Sequence, residues 1–171
     1  MLIIKLIKKF VKLLNSDASP NQMASGFALG SIIGLTPFFS LHNIGIWILV
    51  FLLKVNVASA FLGVAVFSLA GFFLDPLADK IGYMVLSQSQ ALHGLWTAMY
   101  NMPIIPFTRF NNTLVMGSFI ISIVLFVPIV LCMKYFVVYY RKHLQARLQK
   151  LRVFQLLKTS KLYQWYVKFI G

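Results

Sequence analysis

Acidic residues are nearly missing from this chain. Three aspartates, Asp17, Asp75 and Asp79, stand against sixteen lysines and arginines in 171 residues, giving a formal net charge of +13. Clustered carboxylates for acid–base, phosphoryl or acyl chemistry are therefore out of reach. The sequence has no Ser/His/Asp set, no HExxH, no CxxC and no phosphate-cradling glycine loop. No enzyme, catalytic residue, metal or cofactor is expected. Cysteine occurs once, as Cys132 within an apolar run, which excludes an intrachain disulfide and points to a packing role. Charge of either sign is also scarce. Only 11% of residues are charged and 60% are apolar, against about 25% and 45–50% in soluble domains. A water-soluble fold of this length cannot hide so much apolar surface, so the expected solvent is a bilayer.

The basic residues fall into two arms. Four lie in residues 1–14 and nine in 134–168, with only Lys54, Lys80 and Arg109 between them. Charge flanking an apolar middle fits anionic headgroups and argues against nucleic acid. In "MLIIKLIKKFVKLLNSDASP", Lys5, Lys8, Lys9 and Lys12 share an arc of about 100° on a helical wheel, with apolar residues filling the rest. The lysines interrupt every apolar stretch, which excludes a cleaved signal, and they are too costly for a spanning helix. Residues 1–18 are expected to form an amphipathic helix lying in the interface and staying attached. A helix packed on the protein's own cytoplasmic face is the alternative. Residues 141–171 repeat the device. In "KLYQWYVKFIG", Lys161, Gln164 and Lys168 oppose Leu162, Trp165, Tyr166 and Phe169, a basic amphipathic cytoplasmic tail with Lys161, Trp165 and Lys168 at headgroup level. A solvated partner-binding helix is its alternative.

Short basic ends place both termini in the cytoplasm and require an even number of crossings. The clearest crossing is residues 113–140, kinked at Pro128. Residues 87–112, with one charge, two prolines and several aromatics, form an expected extracytoplasmic loop against the outer interface. Residues 57–74 give the first crossing, and Asp75–Pro76 has the signature of a new helix start. Residues 20–53 divide differently. Pro20 and Pro37 bound about 16 residues, roughly 24 Å of helix. A ten-residue apolar piece follows at 44–53, and "TPFFSLHN" joins the two. Two short halves with a polar tip of Pro37, His42 and Asn43 read as a re-entrant hairpin, with two thin full spans as the alternative. The fold class is all-α: integral membrane helices, a re-entrant helical hairpin and amphipathic interfacial helices at both ends.

Gly26, Gly30 and Gly34 recur every fourth residue and leave a flat groove for close helix packing, or for a lipid tail or partner helix. Asp75 and Asp79 lie one helical turn apart and could share a cation or proton, or could serve as a cap and a partner for Lys80. His42 and Asn43 could bind a headgroup or satisfy free carbonyls at the tip. His93 and His143 are isolated.

"SPNQMASGFALGSIIGLTPFFSLHN", "LLKVNVASAFLG" and "DPLADKIGYMVL" resemble the bacterial membrane proteins grouped as domain of unknown function 2062. The resemblance covers residues 19–86, the membrane domain with the hairpin and first crossing. It rests on Pro20, on Gly26 and Gly30, on Pro37 with His42, on Lys54 with Asn56, and on Pro76. Asp75 stands where the family usually has Asn, and Ser40 where Gly is common, so Lys54, Asn56, Asp75 and Asp79 are the polar positions the pattern singles out. The region of "YNMPIIPFTRFNNT" is similar to a subgroup usually encoded beside a larger envelope protein of the AsmA-like lipid-transfer type. The resemblance implies a bacterial inner-membrane protein that docks such a partner and helps transfer phospholipid to it. From the residues alone, two other readings stand: a small-solute transporter or channel, which lacks an inverted repeat and so would need a homo-oligomer, and a structural assembly factor.

Overall fold

The computed structural model describes Leu13, Leu14 and residues 16–144, and every regular element among them is helical. The N-terminal lysine stripe, Lys5, Lys8, Lys9 and Lys12, lies outside the described residues, as do Lys161, Trp165 and Lys168 of the tail. The chain divides into two compact units.

The larger unit, residues 18–134, begins with α1 (Pro20–Leu35). Its start is set by a capping box: the Ser19 side chain accepts from Gln22 N at 3.2 Å, and Ser19 N donates to Gln22 Oε1 at 2.9 Å. Pro20 fills the first helical position, where its missing N–H costs nothing. α1 ends at Thr36, ahead of Pro37. Ten of its sixteen residues are buried, from Met23 to Leu35, and they lie all round the helix. It is the enclosed centre of the unit.

α2 (Leu41–Leu52) follows a short non-helical tip, Thr36–Ser40. α3 (Val57–Tyr83) is capped by Asn56, whose side chain accepts from Ser59 N at 2.8 Å. The buried residues of α3 are all small: Ser59, Ala60, Gly63, Gly71, Ala78 and Gly82. Helices can approach to backbone contact along such a face. A Cβ added at Gly26 would lie 2.5 Å from the Asn56 carbonyl oxygen, and one at Gly34 2.7 Å from that of Val64, while Gly30 presses on Ala60. Residue numbers rise together along the contact, so α1 and α3 run parallel. α2 must therefore travel back between them. Gly34 meets α3 at Val64, Phe67 and Ser68. The tip thus stands beside the middle of α3, which continues for about a dozen residues, roughly 18 Å, beyond it.

A π-helical turn (Met84–Gln88) closes α3 and is followed by a 3₁₀ turn, α4 (His93–Tyr100) and a second 3₁₀ turn (Ile105–Thr108). α5 (Thr113–Tyr139) then returns. Gly82 packs on the Thr113 carbonyl and Gly117 on that of Ala78, so α5 runs antiparallel to α3. A core of Leu29, Ile32, Val50 and Ala60, with Trp47, Phe119 and Phe126 packed against it, joins four helices.

The structure departs from sequence expectation at four places. No helix starts at Asp75: α3 runs unbroken through Pro76, so the first crossing does not stop at residue 74. Neighbouring helices re-satisfy backbone that a proline frees in apolar surroundings, so the helix-start signature is overridden. Residues 87–112 are not plain loop but contain α4. The hairpin tip is Thr36–Ser40, and His42 and Asn43 belong to the first turn of α2. Cys132 is exposed rather than packed, because α5 is apolar all round and its sequence marks no inner face. The span expected at 113–140 agrees with α5 to one residue at its end.

In the smaller unit, Arg141 fastens the end of the N-terminal arm. Its Nε donates to Leu14 O at 3.1 Å and its guanidinium to Ser16 O at 2.7 Å, covering carbonyls that a helix end leaves open. Tyr135, Tyr139 and His143 stack at successive four-residue steps, with ring centroids 6.3 and 4.9 Å apart.

Candidate functional site

The tip of the α1–α2 hairpin holds the densest cluster of side-chain hydrogen bonds among the described residues. Asn43 reaches back across the turn. Its Nδ2 donates to Pro37 O at 3.0 Å and Phe38 O at 3.2 Å, and its Oδ1 accepts from Thr36 Oγ1 at 2.9 Å. Thr36 Oγ1 also lies 2.8 Å from Ile32 O, and Ser40 Oγ donates to Pro37 O at 2.8 Å. Thr36, Ser40 and Asn43 are buried. Carbonyls of the turn that follows α1 are thus satisfied by side chains, as a turn away from water requires. Asn43 therefore takes the carbonyl-binding role left open by the sequence. His42 sits apart from this network. Its ring lies 5.1 Å from that of Phe119, and its buried Nε2 has no hydrogen-bond partner.

Outside the strapped turn the surface is aromatic. Phe38 and Phe39 point outward from the tip, their rings edge to face at 5.4 Å. With Asn43, Ile44, Trp47 and Phe107 they line a cleft of about 430 Å³ between α2 and the turn Ile105–Thr108. Trp47 in turn packs on Phe61 of α3 at 4.8 Å, which holds the returning arm of the hairpin. Phe38, Phe39, Trp47 and Phe107 had no local pattern to distinguish them from core or lipid-facing residues. Only the fold brings them together.

The glycine groove of Gly26, Gly30 and Gly34 is filled by α3 of the same chain. The foot of this pair carries its own fastening: Asn56 N donates to Gln22 O at 3.0 Å and Ser59 Oγ to Met23 O at 2.6 Å. Asn56 is thus both cap and anchor, while Lys54 is exposed in the turn beside it. Asp75 is half-buried in mid-helix. Asp79 accepts a hydrogen bond from Thr113 Oγ1 at the start of α5. Thr113 gave no signal in the sequence, because its partner lies 34 residues away. Among the described residues no group of three or more His, Cys, Asp or Glu could hold a metal.

Two helices are long and apolar enough to cross a membrane: Val57–Gln88, with mean hydropathy 2.2, and Thr113–His143, with 2.8. Only 22% of the most apolar stretch of each is buried, so the greasiest residues face outward.

A family model described as "Uncharacterized protein conserved in bacteria (DUF2062)" matches residues 5–145. The chain belongs to this family. The DUF2062 match reaches well past residues 19–86 and takes in the outer segment and α5, so the glycine contacts of α3 with both α1 and α5 lie within it. A relative from Treponema pallidum (strain Nichols), itself described as an uncharacterized protein, is 22% identical over 159 residues, covering 93% of this chain and 98% of the relative. No solved structure matches.

Proposed function

We propose that this DUF2062 protein is a multi-pass bacterial inner-membrane protein, both ends cytoplasmic, that works beside a larger envelope protein and helps phospholipid leave the membrane for it. The observation that carries this reading is the depth of the hairpin. α1 ends and α2 begins beside the middle of α3, so a protein body that fills one side of the bilayer would stop short of the other. Lipid above such a half-depth object must tilt or thin to cover it, which lowers the cost of drawing one molecule out. Phe38 and Phe39 project from that end, and the cleft beside them is apolar. α3 and α5, with apolar side chains facing outward, would anchor the hairpin. α4, beyond the end of α3, would meet the partner on the outer face, with Trp96 and Tyr100 suited to headgroup level.

Purification of the tagged full-length protein from native membranes in mild detergent tests this. The expected result is co-purification of one larger envelope protein together with phospholipid. A partner-free homo-oligomer that drives solute flux in proteoliposomes would overturn it in favour of transport.

A further inference from the structure

We infer that residues 102–108, "MPIIPFT", form with Phe38 and Phe39 a wedge immersed in the acyl chains of the outer leaflet. The inference rests on the membrane reading above and places the outer segment among the acyl chains rather than in water.

Depth is the first argument. Phe107 borders the same cleft as Phe38 and Phe39, and the tip stands roughly 18 Å of helix short of Tyr83. The chain must therefore turn back from the end of α3 toward the bilayer middle, touch the tip, and climb again to Thr113 beside Gly82. Chemistry is the second. From Ile81 to Thr108 the sequence has no Asp, Glu, Lys or Arg. Ile104 is 67% exposed, Phe107 72% and Phe39 88%, a concentration of large apolar side chains that a water-facing loop does not carry.

Backbone bonding is the third. Irregular chain among lipid needs its polar groups satisfied within the protein, and part of this backbone is. Pro103 and Pro106 have no N–H to satisfy. Phe107 N donates to Ile104 O at 3.2 Å, Met102 N to Met99 O at 3.3 Å, and Thr108 Oγ1 to Ile105 O at 2.7 Å. Polarity returns at once beyond the wedge. Arg109 turns the chain with a left-handed φ of 58°, and Asn111 and Asn112 follow, Asn112 Oδ1 accepting from Val115 N at 3.1 Å. Asn111 and Asn112 thus mark the return toward the headgroups, and Arg109 reaches that level through its long side chain.

The test uses the full-length protein with Cys132→Ala, carrying a single cysteine at Ile104, Phe107 or Asn111, in vesicles of phosphatidylethanolamine and phosphatidylglycerol. Each cysteine is reacted with a membrane-impermeant maleimide. In parallel it carries an environment-sensitive fluorophore, read against spin-labelled lipid and aqueous iodide as quenchers. Hydrocarbon disfavours the reactive thiolate, so Ile104→Cys and Phe107→Cys should label at least about tenfold more slowly than Asn111→Cys. Their fluorophores should be quenched by the lipid and not by iodide. Labelling as fast as Asn111→Cys, with quenching by iodide, would overturn the wedge, and so would protection from both quenchers, which would mean that protein covers it. Alkaline extraction of the same vesicles separates the two readings: release of the protein overturns membrane insertion itself, whereas retention with fast labelling overturns the wedge alone.

Discussion

Single atoms set the packing of this protein. Gly30 and Ala60 meet at backbone contact, so a methyl group at position 30 would overlap a carbonyl oxygen that belongs to a helix and cannot move aside. Gly45, on the outer side of α2, has nothing within 4 Å of the same added carbon. Gly30→Ala is therefore expected to destabilise the protein by about 1–3 kcal/mol through overpacking. Gly45→Ala should stay within about 0.5 kcal/mol of the parent. Recovery of monodisperse protein after graded heating in detergent checks both, and equal loss from the two variants would refute the α1–α3 contact. Asn43 works in the opposite sense. It supplies donors to two carbonyls and an acceptor to one hydroxyl, so three residues of a turn depend on one side chain. The glycine spacing was legible in the sequence, because a four-residue repeat has one structural meaning on a helix. The occupant of the groove was not. Any helix with small residues would fit, and Ala60 and Gly63 become the choice only when the chain has doubled back through α2.

Elements were legible in proportion to their dependence on local signals. α5 could be placed within a residue at its end because one long apolar run admits no other reading. The break between α1 and α2 could be placed because Pro37 cannot continue a helix. At Asp75–Pro76 of α3 a local start signal competes with continuous packing. Ala78 and Gly82 must stay in helical register to meet Gly117 and Thr113, and that long-range demand prevails. α4 is only eight residues long and its apolar face is short, so nothing set it apart from loop. The register of α3 on α5 offers a direct check. Asp79 and Thr113 touch through their side chains. With Cys132→Ala, the pair Asp79→Cys and Thr113→Cys should therefore cross-link on mild oxidation, seen as a mobility shift reversed by reductant. Asp75→Cys with Thr113→Cys, one turn away, should not. Cross-linking of the second pair alone would shift the register by a turn.

For the whole molecule, the directions of the helices fix what any topology must satisfy. α1 and α3 run from one end and α5 returns toward it, so on the proposed membrane reading the hairpin would contribute no net crossing and the two long helices would cancel. Alkaline phosphatase, which is active only outside the cytoplasm, should therefore be inactive when joined after Gly171 and active when inserted at Asn101. Activity at both positions would rule out this arrangement. The parallel pairing of α1 with α3 also has a consequence for how the protein is made. Synthesis proceeds from the N-terminus, so α1 leaves the ribosome before the surface that covers its glycine face has been translated. Until Ser68 emerges, the most enclosed of the described helices is the least protected of them. Nascent α1 must wait, uncovered or held by an insertion factor, for a neighbour that arrives two helices later.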